Sequence, residues 1–303
     1  MQLAPIINQF LRHCERQGLR PNTLRAYRSK LESLRESLGD SEPNRPQLLD
    51  WLHQQTHWAD GDPKTNSTQA AYRATLAILL NFAVAEELLP ASPLKPQDLK
   101  RPLIPHRERI ATTEETLAIL AHAPQEFGLL YRCLRMTGAR PDELTAARIE
   151  WISDTAGGRV LTIINNKTSR HTGKARIIPI GEQVEPLFTQ AIGRRHYGPI
   201  FLTGKSRPWT VAHASRIFRE TRDALGISPE LVLYSARHEF GSQVTKEKGI
   251  HAAMELLGHS SISVTQRYAH LTTDELAQIQ SAAVPDITPA TDVPGSPSGP
   301  TAA

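Results

Sequence analysis

Apolar positions recur at helical spacing through the first hundred residues. Ile6, Ile7, Phe10 and Leu11 fall on one side of a segment from Ala4 to Gly18, and the glycine marks its end. Pro21-Asn-Thr23 opens a second helix, in which Leu24, Tyr27, Leu31, Leu34 and Leu38 form one stripe. Arg25, Arg28, Lys30 and Arg35 occupy its other side. Leu48 to His57 reads as a short helix, and a turn-rich stretch follows at Asp60-Gly-Asp-Pro-Lys64. A long helix is expected from about Ser67 to Glu87, with Ala71, Leu76, Leu79, Leu80 and Ala83 facing inward. These elements predict a helical first domain over residues 1–92.

The pattern then breaks. Pro93, Pro96, Pro102 and Pro105 remove backbone donors and favour extended geometry, so residues 93–110 read as a linker. A second domain over 111–283 opens on Thr112 with Glu115 three residues on, the spacing of a capping box. Helices are expected to about Thr137. The period then shortens: Val160-Leu-Thr-Ile-Ile164 and Ala175-Arg-Ile-Ile-Pro-Ile180 are short and β-branched, which predicts a small antiparallel sheet of two or three strands. Helical spacing resumes at Thr210 and runs to about Ala282. Residues 284–303, rich in Pro, Ser, Thr, Gly and Ala, read as a disordered tail. The fold class expected is mainly α with a small antiparallel sheet, as a helical N-terminal domain followed by an α+β domain.

Composition narrows this picture only a little. The 303 residues are 39% hydrophobic and 22% charged, with no apolar run near the roughly 18 residues of a membrane span, so no membrane partner is expected. The opening MQLAPIINQF has neither a basic leader nor a long apolar stretch, which argues against a secretory signal and for the cytoplasm. Cys14 and Cys133 have no Cys or His at metal-ligand spacing and read as free, buried thiols. A net charge of +4 permits a polyanionic partner without requiring one.

Four clusters in the second half carry candidate chemistry. They are Thr137-Gly-Ala-Arg140-Pro-Asp-Glu143, then Asn165-Asn-Lys167 after a strand, then Tyr234-Ser-Ala-Arg237-His238, then Leu257-Gly-His259 with Tyr268 nine residues on. Singly, each has an ordinary reading: an arginine after glycine caps a helix, a hairpin lysine is solvated, a helical tyrosine packs. Their order and joint spacing resemble the tyrosine recombinase (phage integrase) family. That family's pattern is Thr-Gly-x-Arg-x-x-Glu, a hairpin Lys, His-x-x-Arg-His, Leu-Gly-His, and a Tyr nine residues later. One position departs, because Tyr234 stands where the family usually has His.

The resemblance implies an enzyme that cleaves and rejoins DNA site-specifically, with Tyr268 as nucleophile forming a 3′-phosphotyrosine. It implies Arg140 and Arg237 as a clamp on the non-bridging oxygens, His259 as a third donor and Lys167 as the acid that protonates the leaving 5′-oxygen. Guanidinium suits the clamp because it stays charged and forks two donors. Glu143 would orient Arg140, and His238 would stand behind these groups or in the core. Tyr234, a hydrogen-bond donor at neutral pH, would replace the usual imidazole. Covalent storage of the phosphodiester energy removes any need for ATP. No carboxylate cluster suggests a metal, so neither Mg²⁺ nor another cofactor is expected. Partners implied are double-stranded DNA, three further copies in a tetramer on synapsed DNA, and accessory DNA-bending proteins. With the sequence opening almost at the first helix, a two-domain protein without an additional arm-type domain is the expectation. Arg20, Arg25, Arg28, Lys100, Arg101, Arg107, Arg109 and Arg207 are candidate phosphate contacts, against the plainer reading of solvated faces. Two alternatives share the motifs: a DNA-binding relative with impaired catalysis, suggested by Tyr234, and type IB topoisomerase-like nicking and closing.

Overall fold

The computed structural model describes residues 2–104, 109–164, 175–259 and 261. The chain divides into two units, residues 1–106 and 107–303. Lys167, Arg107, Tyr268, the tail over 284–303 and the segment after Tyr268 lie outside the described residues.

Among the described residues, the first unit holds four α-helices: α1 (Leu3–Arg16), α2 (Pro21–Leu38), α3 (Arg45–Gln54) and α4 (Asn66–Ala85). Three of these starts have a local cause. Pro21 takes the first helical position of α2, where its missing N–H costs nothing. Asn44 caps α3 by accepting from Gln47 N at 3.1 Å, so this helix begins three residues before the expected Leu48 and ends at Gln54 rather than His57. Thr65 accepts from Thr68 N at 3.3 Å to cap α4. Leu3, Ile6, Phe10, Leu31, Leu34, Leu48, Trp51, Leu76 and Leu80 fill the core. From the expected α2 stripe, Leu31 and Leu34 are fully buried, while Leu24, Tyr27 and Leu38 pack at its margin. In α4 the buried alanine of the first half is Ala70, and Ala71 is only half-buried.

The stretch read as a linker begins inside this unit. Leu94 is buried with Leu89, and a 3₁₀ turn spans Pro96–Leu99. Arg45 forks onto Asp98 at 2.9 and 2.8 Å, and Asp98 also accepts from Lys95 N at 2.9 Å. Residues 93–99 are therefore anchored by an apolar side chain and a two-pronged ion pair; the proline count concealed both.

The second unit contains α5 (Thr113–His122), α6 (Gln125–Thr137), α7 (Pro141–Thr145), the strands β1 (Ile152–Thr155), β2 (Gly158–Ile163) and β3 (Arg176–Pro179), then α8 (Glu185–Ile192), α9 (Val211–Ala224) and α10 (Ser235–Leu257). Thr112 and Glu115 form the capping box in both directions, at 3.2 and 2.8 Å. The three strands make one antiparallel sheet in the order β1-β2-β3, with Leu161 opposite Ile178. The fold is thus mainly α with a small antiparallel sheet, as the sequence predicts. Alternation along β3 points Arg176 and Ile178 inward and Ile177 outward. The core gathers Ile119, Phe127, Tyr131, Leu144, Leu161, Ile178, Ile200, Phe218 and Leu231. The helix α8 was not expected, since only Leu187 and Phe188 of its eight residues are buried and no helical period can register. No helix of the described residues is long and apolar enough to cross a membrane.

Candidate active site

Two helix ends and one strand build the site. The first end is the break between α6 and α7. Gly138 closes α6 in the left-handed region at φ +60°. Arg140 is the N-cap of α7 and Pro141 its first residue. Glu143, 2% exposed, accepts from Arg140 N at 2.7 Å and from Arg140 Nη1 at 2.8 Å. One carboxylate therefore fixes both the backbone and the side chain of Arg140, which keeps a partly exposed guanidinium.

The second end is the C-terminus of α10, which a break at Gly249 (φ +83°, ψ +167°) turns back toward the helix's own start. Arg237, in its first turn, is 1% exposed. Its Nη1 donates to Gly138 O at 2.6 Å, and its Nη2 donates to Leu257 O at 2.7 Å. Nη2 also lies 3.0 Å from His259 Nε2. Arginine carries donors only, so the imidazole accepts at Nε2 and its ring proton belongs on Nδ1. A single guanidinium thus joins the Thr-Gly-Ala-Arg turn, the start of α10 and the Leu-Gly-His turn. The resemblance implied Arg237 as half of a clamp on the phosphate; in the structure its guanidinium is buried and joins these three elements.

Tyr234, the N-cap of α10, is exposed and packs edge-on against His238 with ring centroids 5.1 Å apart. His238 is half-buried on the same turn. The residue that sequence reasoning missed is Arg176. It is buried, and its guanidinium donates to Ile177 O at 2.9 Å, to Glu255 O at 3.4 Å and to Leu256 O. Burial pushes its pKa down to about 10; the nearby Glu143 opposes that shift, and Arg237 and Arg140 add to it. The charge remains at neutral pH. The missed signal was available, because Arg176 shares strand parity with Ile178 and Ile180 and an inward arginine asks for a reason.

The candidate DNA contacts have less uniform surroundings. Arg25 donates to Asn22 Oδ1 at 3.1 Å, and Arg28 pairs with Glu15. Arg20 is half-buried at the N-cap of α2, and Lys100 and Arg101 are exposed. Arg109 pairs with Glu115 and with Ile110 O. Arg207 is exposed in the turn before α9, where its N–H donates to Thr203 Oγ1 at 3.2 Å. Among the described residues no group of three or more His, Cys, Asp or Glu is arranged to hold a metal.

Three cationic side chains and an imidazole gathered from the α6–α7 break, β3 and the two ends of α10, with Arg140 partly exposed and one buried carboxylate to hold it, define a protein equipped to receive an anionic group such as a phosphate. The chain belongs to the phage integrase family, whose model matches residues 110–275, and so is a tyrosine recombinase. It is 26% identical over 312 residues to the tyrosine recombinase XerC of Myxococcus xanthus, covering 93% of this chain and 98% of that one. Among solved structures it is similar to a lambda integrase dimer bound to a COC′ core site (TM-score 0.72, 20% identity, 89% of this chain and 77% of that one). A lambda integrase tetramer bound to a Holliday junction gives a TM-score of 0.71 at 20% identity, covering 87% and 79%. These two likenesses are likenesses of fold. Family membership makes site-specific DNA recombination the activity of the chain.

Proposed function

We propose that this recombinase cleaves and rejoins duplex DNA through a 3′-phosphotyrosine at Tyr268, without metal or ATP. The observation that carries the reading is Arg237, whose buried guanidinium links three of the four motif clusters into one constellation. In this reading the Tyr268 hydroxyl attacks the phosphorus, the bond to the 5′-oxygen breaks, and Lys167 supplies the proton that leaves with that oxygen. Arg140, held by Glu143, meets the non-bridging oxygens, with Arg237 and His259 behind and beside it. Preorganised donors of this kind contribute about 3–4 kcal/mol each to a transition state. Tyr234 donates to a phosphate oxygen in place of an imidazole, and His238 packs against it. Resealing runs the same path backwards, with the 5′-hydroxyl displacing tyrosine.

The partner is double-stranded DNA, gripped by the domain over 1–92 and the linker as well as by the domain over 111–283. Arg20, Arg25, Arg28, Lys100, Arg101, Arg107, Arg109 and Arg207 serve as phosphate contacts, and four copies assemble on synapsed sites inside the cytoplasm. The DNA-bound dimer and junction-bound tetramer of the fold relatives support this arrangement. The test is a duplex carrying the flanks of the coding region, incubated with protein in EDTA and denatured in SDS. A covalent adduct that disappears in Tyr268→Phe is the expected result. An adduct that survives the substitution, or that needs added metal, refutes the reading.

A further inference from the structure

Arg176 stands outside the four motif clusters, yet it contacts the element that carries one of them. The last turn of a helix leaves carbonyls short of donors and gathers partial negative charge. In α10 these carbonyls are met by two arginines: Arg176 takes Glu255 O and Leu256 O, and Arg237 takes Leu257 O. Gly258 follows at φ +62°, and His259 comes next. A Cβ on Gly258 would lie 2.5 Å from Arg176 Cδ, so the stem of Arg176 lies flat against the glycine that turns the chain. On the other side, Glu143 and Arg140 are close enough to act on the Arg176 charge. Capping alone would not require a buried cation beside two others. Placing one there is unfavourable; the carbonyls of Ile177, Glu255 and Leu256 and the charge of Glu143 offset it, and so tie Arg176 to the end of α10.

We infer that Arg176 is a positioning residue for the strand-cleavage reaction: it fixes the Leu257–Gly258–His259 turn so that His259 Nε2 meets Arg237. The inference rests on the proposed function for its chemistry but has a readout of its own. With Arg176 in place, Arg237 donates to Nε2 and the His259 proton resides on Nδ1. Without it, the turn loosens and the ring proton redistributes between the two nitrogens.

The experiment uses the full chain with nitrogen-15 labelled histidine, His259 being assigned by the signal lost in His259→Gln. Wild type is expected to show the Nδ1–H pattern, and Arg176→Met to lose it. Arg176→Lys keeps the charge but not the fork; it should lose most of the pattern and serves as the readout if the Met variant does not fold. Arg195→Met is the control for a merely structural role, since Arg195 also caps carbonyls in this unit, those of Ile192 and Ile200 at 3.0 and 2.7 Å. It should lower the melting temperature and leave the His259 signature unchanged. In the adduct assay, Arg176→Met should lose at least tenfold, with little further loss when combined with His259→Gln. A wild-type proton on Nε2, an unchanged signature in the folded Arg176 variants, or multiplicative losses in the double variant overturns the inference. A wild type that forms no adduct overturns the functional reading instead, and the spectroscopic arm still decides the role of Arg176.

Discussion

Gly138 and Phe240 occupy adjoining space: a Cβ on Gly138 would lie 2.2 Å from Phe240 Cδ1 and 2.8 Å from Cγ and Cε1. The glycine sits at φ +60° and offers its carbonyl to Arg237, so its backbone position is set from both sides. Gly138→Ala combines a left-handed alanine, about 1–2 kcal/mol, with overpacking of about 1–3 kcal/mol. Urea unfolding should show a loss of about 2–5 kcal/mol. Phe240→Leu in the same chain should return part of it by vacating the ring position. Additive losses in the double variant would mean that the ring is not the obstacle.

Among the described residues, Glu143 is the carboxylate that contacts Arg140, and its charge also reaches Arg176. Glu143→Gln keeps the shape but leaves the cationic cluster without that counter-charge. Breaking a buried pair costs about 3–5 kcal/mol, and the partial exposure of Arg140 reduces this to about 2–3 kcal/mol. The variant should also gain more thermal stability from added sulfate than wild type does, because the anion replaces the lost charge. Equal responses to sulfate in the two proteins would show that Glu143 does not balance this cluster.

How much of this was legible in the sequence differs by element. The four motif clusters were legible because their order and joint spacing resemble the tyrosine recombinase pattern; the residues' roles came from that resemblance. The helix start at Pro21 was readable from a proline in the first helical position, and that at Thr112 from its Thr–Glu capping box. The role of Arg237 as a joint was not readable, since two of its acceptors are the carbonyls of Gly138 and Leu257, and a carbonyl leaves no mark on a sequence. Arg176 was half-legible: the strand was expected and its alternation known, but an inward arginine was not followed to its consequence. The helix α8 was silent because eight residues give too few turns for a period to show.

Cys133 and Tyr131 are both buried in the core, and burial pushes both groups up to about 12, from ordinary values of 9.0 and 10.0. Above pH 9 the unfolded thiol gives up its proton while the folded one keeps it. Stability is therefore complete below pH 9 and falls as pH rises toward 12. At pH 10 the thiol alone removes on the order of 1 kcal/mol. Urea midpoints taken from pH 8 to 11 should decline less steeply in Cys133→Ala than in wild type. Parallel slopes would show that the thiol titrates normally in the folded chain.

Arg28 and Glu15 form an exposed ion pair between α2 and α1, so a phosphate that uses Arg28 must compete with a carboxylate. Such a pair is worth under about 1 kcal/mol, which a DNA backbone can outcompete at low salt. Glu15→Gln should then tighten binding to a nonspecific duplex by about twofold to fivefold at low salt, with the gain shrinking as salt rises and screening grows. Arg28→Ala should weaken binding and reduce the slope of log affinity against log salt by about one. Fluorescence anisotropy across a salt series measures both. If Glu15→Gln leaves affinity unchanged and Arg28→Ala leaves the slope unchanged, then Arg28 faces away from the DNA and α2 presents a different side to it.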